Sequence, residues 1–349
     1  MRSFQSLVEA EFLALDKLIL DEMSSEVGMI EEVAEYLIGS GGKRLRPLCL
    51  FLVNRLLKTV SESNTTSTKH GISDLSVWYG AVIEFIHTAT LLHDDVVDRS
   101  SLRRGRPTAN EHWGNAPSVL VGDFLYSRAF QMMVRAASEQ KSLAIIQLMS
   151  DATNVISEGE VLQLVNAKTL SLSYDDYYQV AYKKTAVLFE AACQTASLLH
   201  GYSIDSECYA AAGGFGRELG IAFQIMDDVL DYSGESAKLG KNVGDDIAEG
   251  KLTLPLVYAL NQLNIKGQNS QTNDILATLE QYRDNSAADQ NATQIPHIIS
   301  VVEENGGLRY ATEQAGQAIT RANEFLTQLP GKDKAALQSL ADFAIARRT

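Results

Sequence analysis

Apolar residues recur along most of the chain at the spacing of one helix face. Val82, Phe85, Ile86 and Ala89, for example, keep an i, i+3, i+4, i+7 spacing just before a cluster of aspartates. Proline, which interrupts helices, occurs six times and is absent from residues 118–254. Alternation of the strand type is hard to find. The pattern therefore predicts an all-α protein of about ten or more helices.

Two polar stretches interrupt this pattern. They are Ser61–Ser73 and Asn264–Gln294, and both are predicted to be loops or a weakly ordered insertion. With 349 residues and 45% hydrophobic content, the chain can bury a large core in one large domain or two ordinary ones.

Charge changes the picture of possible ligands. The chain carries 44 acidic and 30 basic residues, a formal net charge of −14. Nothing in this balance favours binding to DNA or RNA, so no nucleic-acid partner is expected. An anionic ligand must then be held by local basic groups or by metal ions.

Cysteine content and the start of the chain indicate a compartment. Cys49, Cys193 and Cys208 are odd in number and form no CxxC pair, so neither a disulfide framework nor a zinc site is predicted. The first residues lack a signal-peptide core. No apolar run approaches the roughly 20 residues that cross a bilayer. A cytoplasmic protein without a transmembrane segment is expected.

The first aspartate cluster follows the apolar helix pattern. His87, Asp94 and Asp98 are separated by seven and four residues, so in a helix of about 100° per residue they share one face. Asp95 stands beside them and could join a metal shell through water. One helix is thus predicted to present two carboxylates one turn apart.

The second cluster repeats the chemistry of the first. Gln224, Asp227, Asp228 and Asp231 have i, i+3, i+4, i+7 spacing, which places an amide and three carboxylates on one stripe. Stacked carboxylates repel unless they share a cation, and Mg²⁺ is typically held by one or two carboxylates together with substrate phosphates. The alternative is that each cluster is a solvated acidic helix end. Two copies favour metal, and neither has the loop spacing of an EF-hand.

Basic residues suggest that phosphate binds beside the metal. Gly41–Pro47 is predicted to be a glycine-led turn entering a helix, a geometry suited to phosphate. Each basic segment alone would pass for an ordinary surface turn. The cations and their polar neighbours are Lys43, Arg44, Arg46, Arg103, Arg104, Lys183, Lys184, Thr185, Lys241 and Lys251.

Other reaction classes lack their motifs. The sequence contains no GxSxG elbow, no HExxH, no P-loop and no convincing GxGxxG. Hydrolase, zinc protease, nucleotide kinase and dehydrogenase readings therefore have no support. Metal-assisted loss of diphosphate is the chemistry that remains.

Seven motifs stand in order along the chain: GGKRLRP, FIHTATLLHDDVVD, RRG, GDFLYSRAF, YKKTA, FQIMDDVLD and GKNVGDDIAEGKLTLP. This ordered set resembles the trans-isoprenyl diphosphate synthase family over nearly the whole chain, and most strongly its octaprenyl-forming bacterial group. The resemblance implies a single all-α domain over residues 1–349, with helices around a central cavity, and a homodimer. It also implies a Mg²⁺-dependent condensation of isopentenyl diphosphate with an allylic diphosphate.

The resemblance also implies roles for individual residues. Mg²⁺ would be bound by Asp94, Asp98 and Asp227, with Asp95, Asp228 and Asp231 in the outer shell. Isopentenyl diphosphate would be bound by Lys43, Arg46, His87 and Arg104. The allylic substrate would be surrounded by Arg103, Lys184, Thr185, Gln224, Lys241 and Lys251.

Product length is predicted from the helix before the first cluster. Thr90 and Ala89, four and five residues before Asp94, are small, whereas short-chain relatives carry a bulky residue in this region. The growing chain is therefore expected to pass this level, with Phe124 or Phe130 as a deeper floor. The alternative is that the two small residues only permit close helix packing.

Several alternative functions stay open. A farnesyl or geranylgeranyl diphosphate synthase would share every motif. A class I terpene cyclase would usually carry a different second metal motif, and a silent partner subunit would have lost metal ligands. The expected product is a long-chain polyprenyl diphosphate, octaprenyl by resemblance, for quinone side chains.

Overall fold

The computed structural model describes residues 3–39, 42–61, 72–103, 105–140, 143–233, 243–284 and 294–346. Helices dominate these ranges, and the strands in them are the two-residue antiparallel pair β1, Leu102–Arg103, and β2, Arg106–Pro107. The prediction of an all-α fold is confirmed. A π-helical turn, Tyr182–Ala186, interrupts the helical run between the ninth and tenth α-helices.

The α-helices in the described ranges are α1 Ser3–Ser6, α2 Glu9–Glu22, α3 Gly28–Gly39, α4 Leu45–Ser61, α5 Ile72–Val97, α6 Ala109–Trp113, α7 Asn115–Gln140, α8 Leu143–Thr169, α9 Tyr174–Ala181, α10 Val187–Leu199, α11 Glu207–Asp231, α12 Asp245–Ala248, α13 Leu254–Ile265, α14 Asn269–Asp284, α15 Ile295–Glu304, α16 Gly307–Gln328 and α17 Ala335–Ile345.

Backbone contacts divide the chain into two compact units. Unit 1 comprises residues 1–154, 188–217 and 322–341, and unit 2 comprises residues 155–187, 218–321 and 342–349. The first aspartate cluster belongs to unit 1 and the second to unit 2. The expected single domain around a central cavity stays a prediction.

Unit 1 is organised around α5, which packs most extensively against α7 and also against α4 and α2. The apolar stripe predicted for α5 is buried, with Val82, Phe85, Ile86 and Ala89 all at 1% exposure or less. The Trp78 indole nitrogen donates a 2.9 Å hydrogen bond to the Met132 carbonyl of α7. Because α5 is fixed in this way, the position of the aspartates at its end is fixed too.

Unit 2 has a core contributed in part by a segment that was predicted to be a loop. α14 occupies residues 269–284 within the polar stretch Asn264–Gln294, and its Ile275, Leu279 and Tyr282 join the buried cluster of α13 and α15. That loop prediction was wrong for α14, because three apolar residues at i, i+4 and i+7 suffice to bury one face of a polar helix. Most of the other predicted loop, Ser61–Ser73, lies outside the described residues.

Among the described helices, α5 is long and apolar enough to cross a membrane. Its segment Asp74–Val97 contains 18 residues with a mean hydropathy of 1.3, and 67% of them are buried inside the protein. The core helix of a globular protein has the same length and composition, and α5 is the central helix of unit 1.

Candidate active site

The first aspartate cluster closes α5. The helix ends at Val97, and the Asp98 amide donates a 2.7 Å hydrogen bond to the Asp94 carbonyl, which completes the last turn. Arg99 then adopts a left-handed conformation, with φ 54°, and the helix cannot continue. Asp94 and Asp98 therefore keep the one-turn separation predicted from their spacing.

Asp95 and Arg103 are paired with each other. Arg103 Nη2 lies 2.7 Å from Asp95 Oδ1, and Arg103 Nε lies 3.0 Å from the same oxygen. The Asp95 side chain is 1% exposed and that of Arg103 is 27% exposed. The arginine reaches Asp95 because β1 and β2 turn back through Gly105, whose φ is 74°. Asp95 was predicted to reach the metal through water, and Arg103 was predicted to lie at the allylic substrate. In this structure the two side chains bind each other.

The charge state of Arg103 follows from its neighbours. Burial opposes the guanidinium charge, but Asp95, Asp94 and Asp98 together raise the pKa of Arg103 above its usual value. One cation thus offsets the repulsion among three neighbouring carboxylates.

The basic turn of unit 1 enters α4 as predicted. Lys43 is exposed, Arg44 has a left-handed φ of 43°, and α4 begins at Leu45. Arg44 Nη2 forms a 3.0 Å ion pair with Asp16 Oδ1 of α2. The Arg46 guanidinium carbon lies 4.7 Å from the centre of the Phe189 ring.

Of the other two residues predicted to bind isopentenyl diphosphate, His87 lies within the described ranges. His87 is partly buried on α5, and its carbonyl accepts a 2.7 Å hydrogen bond from Thr90 Oγ1. Arg104 lies outside the described residues.

In unit 2, the Lys-Lys-Thr segment lies in the π-helical turn, and α8 approaches this turn at a glycine. A Cβ atom on Gly159 would lie 2.7 Å from Lys183 Cβ and 2.9 Å from the Lys184 backbone nitrogen. Two α8 glutamates hold the lysines, because Lys183 Nζ lies 2.6 Å from Glu158 and Lys184 Nζ lies 2.8 Å from Glu160. The sequence reasoning missed both glutamates, which no motif marks.

Thr185 and Gln224 were both predicted to surround the allylic substrate, and the fold brings them together. Thr185 Oγ1 donates a 2.6 Å hydrogen bond to Gln224 Oε1. Gln224 Nε2 donates a 2.8 Å hydrogen bond to Asp228 Oδ1, and Tyr177 Oη donates one of 2.6 Å to Asp228 Oδ2. Tyr177 was missed because a tyrosine eight residues before Thr185 carries no local signal.

The second aspartate cluster is not uniform. Asp227 is exposed, whereas Asp228 and Asp231 are 4% and 6% exposed. Asp231 Oδ2 accepts a 3.1 Å hydrogen bond from the Asp246 amide. Burial, followed by the charge of Asp246, raises the pKa of Asp228 to about 8, against the opposing hydrogen bonds from Tyr177 and Gln224. In this structure the exposed Asp227 carboxylate is therefore the more accessible to a metal ion.

A cavity of about 120 Å³ lies beside this cluster within unit 2. Lys184, Gln224, Asp228 and Lys251 are among the residues that line it. The Lys251 ammonium lies 2.5 Å from a Glu249 oxygen. Lys241, the other predicted lysine, lies outside the described residues.

Within the described ranges, no three His, Cys, Asp or Glu side chains come together as a preformed metal cage. The predicted ligands Asp94, Asp98 and Asp227 offer only carboxylate oxygens. Mg²⁺ usually takes one or two carboxylates, waters and substrate phosphates rather than a complete protein cage. The carboxylates of each cluster therefore fit a magnesium ion that binds together with a phosphate ligand.

The residues predicted to set product length differ in exposure. Ala89 is fully buried and Thr90 is partly buried on α5. On α7, the Arg128 guanidinium lies 4.9 Å from the centre of the Phe124 ring, and Phe130 is 40% exposed. A residue that closes the bottom of a product cavity should be buried, and Phe130 is too exposed for that role. The roles of all four residues in product length stay predictions.

The chain has close relatives over its whole length. The model of the family described as polyprenyl synthetase matches residues 27–295. The octaprenyl diphosphate synthase of Haemophilus influenzae is 41% identical over 344 residues, which are 98% of this chain and 96% of that protein. The octaprenyl diphosphate synthase of Escherichia coli is 38% identical over 348 residues, which are 99% of each chain.

Solved structures give the same relationship. A polyprenyl synthase of Caulobacter crescentus CB15, complexed with calcium and isoprenyl diphosphate, has a TM-score of 0.86 and 38% identity, and the match covers 99% of this chain and 97% of that one. A decaprenyl diphosphate synthase of Rhodobacter capsulatus has a TM-score of 0.83 and 37% identity, with 99% and 98% coverage.

Proposed function

The chain belongs to the polyprenyl synthetase family and is a prenyltransferase, and we propose that it is a magnesium-dependent trans-polyprenyl diphosphate synthase. Its substrates are isopentenyl diphosphate and an allylic diphosphate. The observation that carries this proposal is that both aspartate clusters are kept, each at the carboxyl end of a long helix. A silent subunit would have no reason to keep them.

Asp94, Asp98 and Asp227 would hold the magnesium. The bound ion supplies Lewis-acid stabilisation of the charge that builds on the departing diphosphate. Calcium and isoprenyl diphosphate bound together in the Caulobacter relative support a divalent cation in this role. The proposed outer shell consists of the buried aspartates, which are 6% exposed or less: Asp95, Asp228 and Asp231.

The protein's own cations assist the same bond cleavage. The carbon–oxygen bond of the allylic diphosphate breaks, and its electron pair leaves with the diphosphate. Lys184 and Lys251 stabilise that anion, while Glu160 and Glu249 hold their ammonium groups in place. Arg103 and Lys241 complete the proposed allylic set.

The allylic cation is stabilised by dipoles rather than by a nucleophile. Thr185 and Gln224 face it with oxygen atoms that are poorer nucleophiles than a thiolate. The double bond of isopentenyl diphosphate then attacks the cation to form the new carbon–carbon bond. A proton is lost from the adduct to the released diphosphate, which restores a double bond.

Isopentenyl diphosphate is proposed to bind to Lys43, Arg46, His87 and Arg104. Lys43 lies in the glycine-led turn before α4, and Arg46 lies in the first turn of that helix. Arginine and lysine differ here, because the arginine fork can bind two phosphate oxygens at once.

The proposed product is a long-chain all-trans polyprenyl diphosphate, octaprenyl made from a farnesyl starter, for quinone side chains. The octaprenyl synthases of H. influenzae and E. coli support eight units. Relatives at similar identity make other lengths, including a decaprenyl product. A short-chain synthase is the second candidate, supported by a short chain isoprenyl diphosphate synthase that is 32% identical.

The active form is proposed to be a cytoplasmic homodimer. Helix α7 exposes Val119, Leu120, Phe130 and Val134, and a second copy of the chain would remove these side chains from water. The cysteines in the described ranges are free and buried, in keeping with a reducing compartment. Light scattering of the purified protein tests the dimer, and Leu120→Asp is expected to shift it towards the monomer.

Incorporation of labelled isopentenyl diphosphate tests the proposed reaction. Purified protein is supplied with farnesyl diphosphate, with Mg²⁺ or with EDTA, and label is followed into acid-labile lipid. We expect incorporation only with the metal, and a loss of at least about a hundredfold in Asp98→Asn and Asp227→Asn. Asp274→Asn, at an exposed position of α14, is the matched control and keeps activity. Equal incorporation with EDTA contradicts the proposal.

A further inference from the structure

We propose that Tyr177 is a positioning residue that orients Gln224 and Thr185 towards the allylic cation. The inference rests on the proposed function, because these two side chains are the ones assigned to that cation. Tyr177 itself touches neither substrate in the proposed scheme, and it acts through Asp228. All four residues belong to unit 2.

The hydrogen bonds form one directed chain. Tyr177 Oη donates to Asp228 Oδ2 at 2.6 Å, and Gln224 Nε2 donates to Asp228 Oδ1 at 2.8 Å. In the ionised form of Asp228, each oxygen therefore has its own donor, and these two hydrogen bonds lower its pKa against the burial that raises it. With its nitrogen committed to Asp228, the Gln224 amide must present its oxygen on the other side.

That amide oxygen decides the direction of the Thr185 hydroxyl. Thr185 Oγ1 donates its single proton to Gln224 Oε1 at 2.6 Å. A threonine hydroxyl has one proton and two lone pairs, so the lone pairs are left for an electron-poor carbon. The chain thus places the negative ends of two dipoles where positive charge develops, before the reaction begins.

Asp228 depends on Tyr177 because it is almost fully buried. It is 4% exposed, so the loss of a donor leaves its oxygen with little access to bulk water. Without the tyrosine hydroxyl, the carboxylate is free to rotate towards the Gln224 amide or away from it. The Gln224 side chain can then adopt several orientations, so its amide oxygen stabilises the allylic cation less.

The neighbouring residue provides a matched control. Tyr178 lies on the same helix, is also partly buried, and donates a 3.2 Å hydrogen bond to Gln314 Oε1. The two rings contact each other, with centroids 5.5 Å apart. Tyr178→Phe thus removes a hydroxyl and a side-chain hydrogen bond from α9 without touching the Asp228 chain.

The test compares binding of two analogues that carry the same diphosphate. One is an unreactive allylic thiodiphosphate, and the other has a protonated amine in place of the reacting carbon. Calorimetry in Mg²⁺ measures both in wild type, Tyr177→Phe and Tyr178→Phe. We expect Tyr177→Phe to lose about tenfold in affinity for the ammonium analogue and less than about twofold for the thiodiphosphate. We expect Tyr178→Phe to lose less than about twofold for either analogue.

Turnover supplies the second readout. In Tyr177→Phe we expect kcat to fall about tenfold while KM for isopentenyl diphosphate is unchanged. In a Gln224→Leu background, Tyr177→Phe should lower kcat little further, because the hydrogen bond between Gln224 and Asp228 is already lost. A fully additive effect, or equal losses for both analogues, overturns the proposal.

Folding and the parent function are controlled separately. Circular dichroism and thermal midpoints are measured for every variant. If Tyr177→Phe does not fold, Tyr177→Leu, which also removes the hydroxyl and leaves Asp228 unchanged, must show the same selective loss. Wild type without any incorporation refutes the proposed function, and the analogue pair still decides the role of Tyr177. An active wild type with a Tyr177→Phe variant that matches Tyr178→Phe refutes the inference alone.

Discussion

The Arg103 guanidinium donates two hydrogen bonds to Asp95 Oδ1, from Nη2 at 2.7 Å and from Nε at 3.0 Å. This contact ties the short β-ribbon to the end of α5. It also keeps a cation beside Asp94 and Asp98, which raise the pKa of Arg103 together with Asp95. The middle aspartate of the cluster thus anchors the counter-charge for its two neighbours.

Asp95→Ala should destabilise the protein. The change removes charge-assisted hydrogen bonds to a buried carboxylate, so we expect a loss of about 2 kcal/mol in the free energy of unfolding, measured with urea. Asp123→Ala, at an exposed site on α7, should change it by less than about 0.5 kcal/mol. Equal effects of the two substitutions would show that the Asp95–Arg103 pair contributes little.

Gly159→Ala should reduce activity and stability together. The new methyl group would lie 2.9 Å from the Lys184 backbone nitrogen, so the π-helical turn must shift. We expect a cost of about 2 kcal/mol in urea unfolding and a clear fall in kcat. Gly316→Ala is the control, because nothing lies within 4 Å of its Cβ position in α16. It should stabilise by up to about 1 kcal/mol, and normal kcat in Gly159→Ala would contradict this account of the turn.

His200 should make stability depend on pH. Burial lowers its pKa from the usual 6.5, and Lys58 lowers it further, against a hydrogen bond to the Asn54 backbone. The unfolded chain therefore binds the proton more readily than the folded one, so stability is retained above pH 6.5 and falls as pH drops below it. Urea unfolding at pH 7.5 and 5.5 measures this, and His200→Gln should reduce the difference. An unchanged difference would assign the pH dependence to other groups.

Ala89→Phe and Thr90→Phe test the basis of product length. A ring at either position of α5 should stop the growing chain earlier, and chromatography of dephosphorylated products reads the result. Because Ala89 is fully buried, its variant should also lose stability. Ile204→Phe, at an exposed site, is the control. If Ala89→Phe still yields the full-length product, the account of chain length is wrong.

Helical periodicity and motif spacing predicted much of the site. Local pattern predicted the apolar stripe that ends before Asp94 and the turn before α4. Family motifs placed Thr185 and Gln224 around the same substrate. α14 escaped prediction because its polar residues outnumber the three apolar residues that it buries. The Asp95–Arg103 pair and the Tyr177–Asp228 bond depend on how distant segments fold back, 8 and 51 residues apart, and no spacing rule contains that information.

The size of the product tests the central claim most directly. Wild-type protein is incubated with Mg²⁺, farnesyl diphosphate and labelled isopentenyl diphosphate, and the dephosphorylated products are separated by chain length. The account predicts a ladder that ends near eight isoprene units, in line with the octaprenyl synthases that are 38–41% identical. A ladder ending at three or four units would contradict the long-chain assignment, and no metal-dependent ladder at all would contradict the proposed reaction.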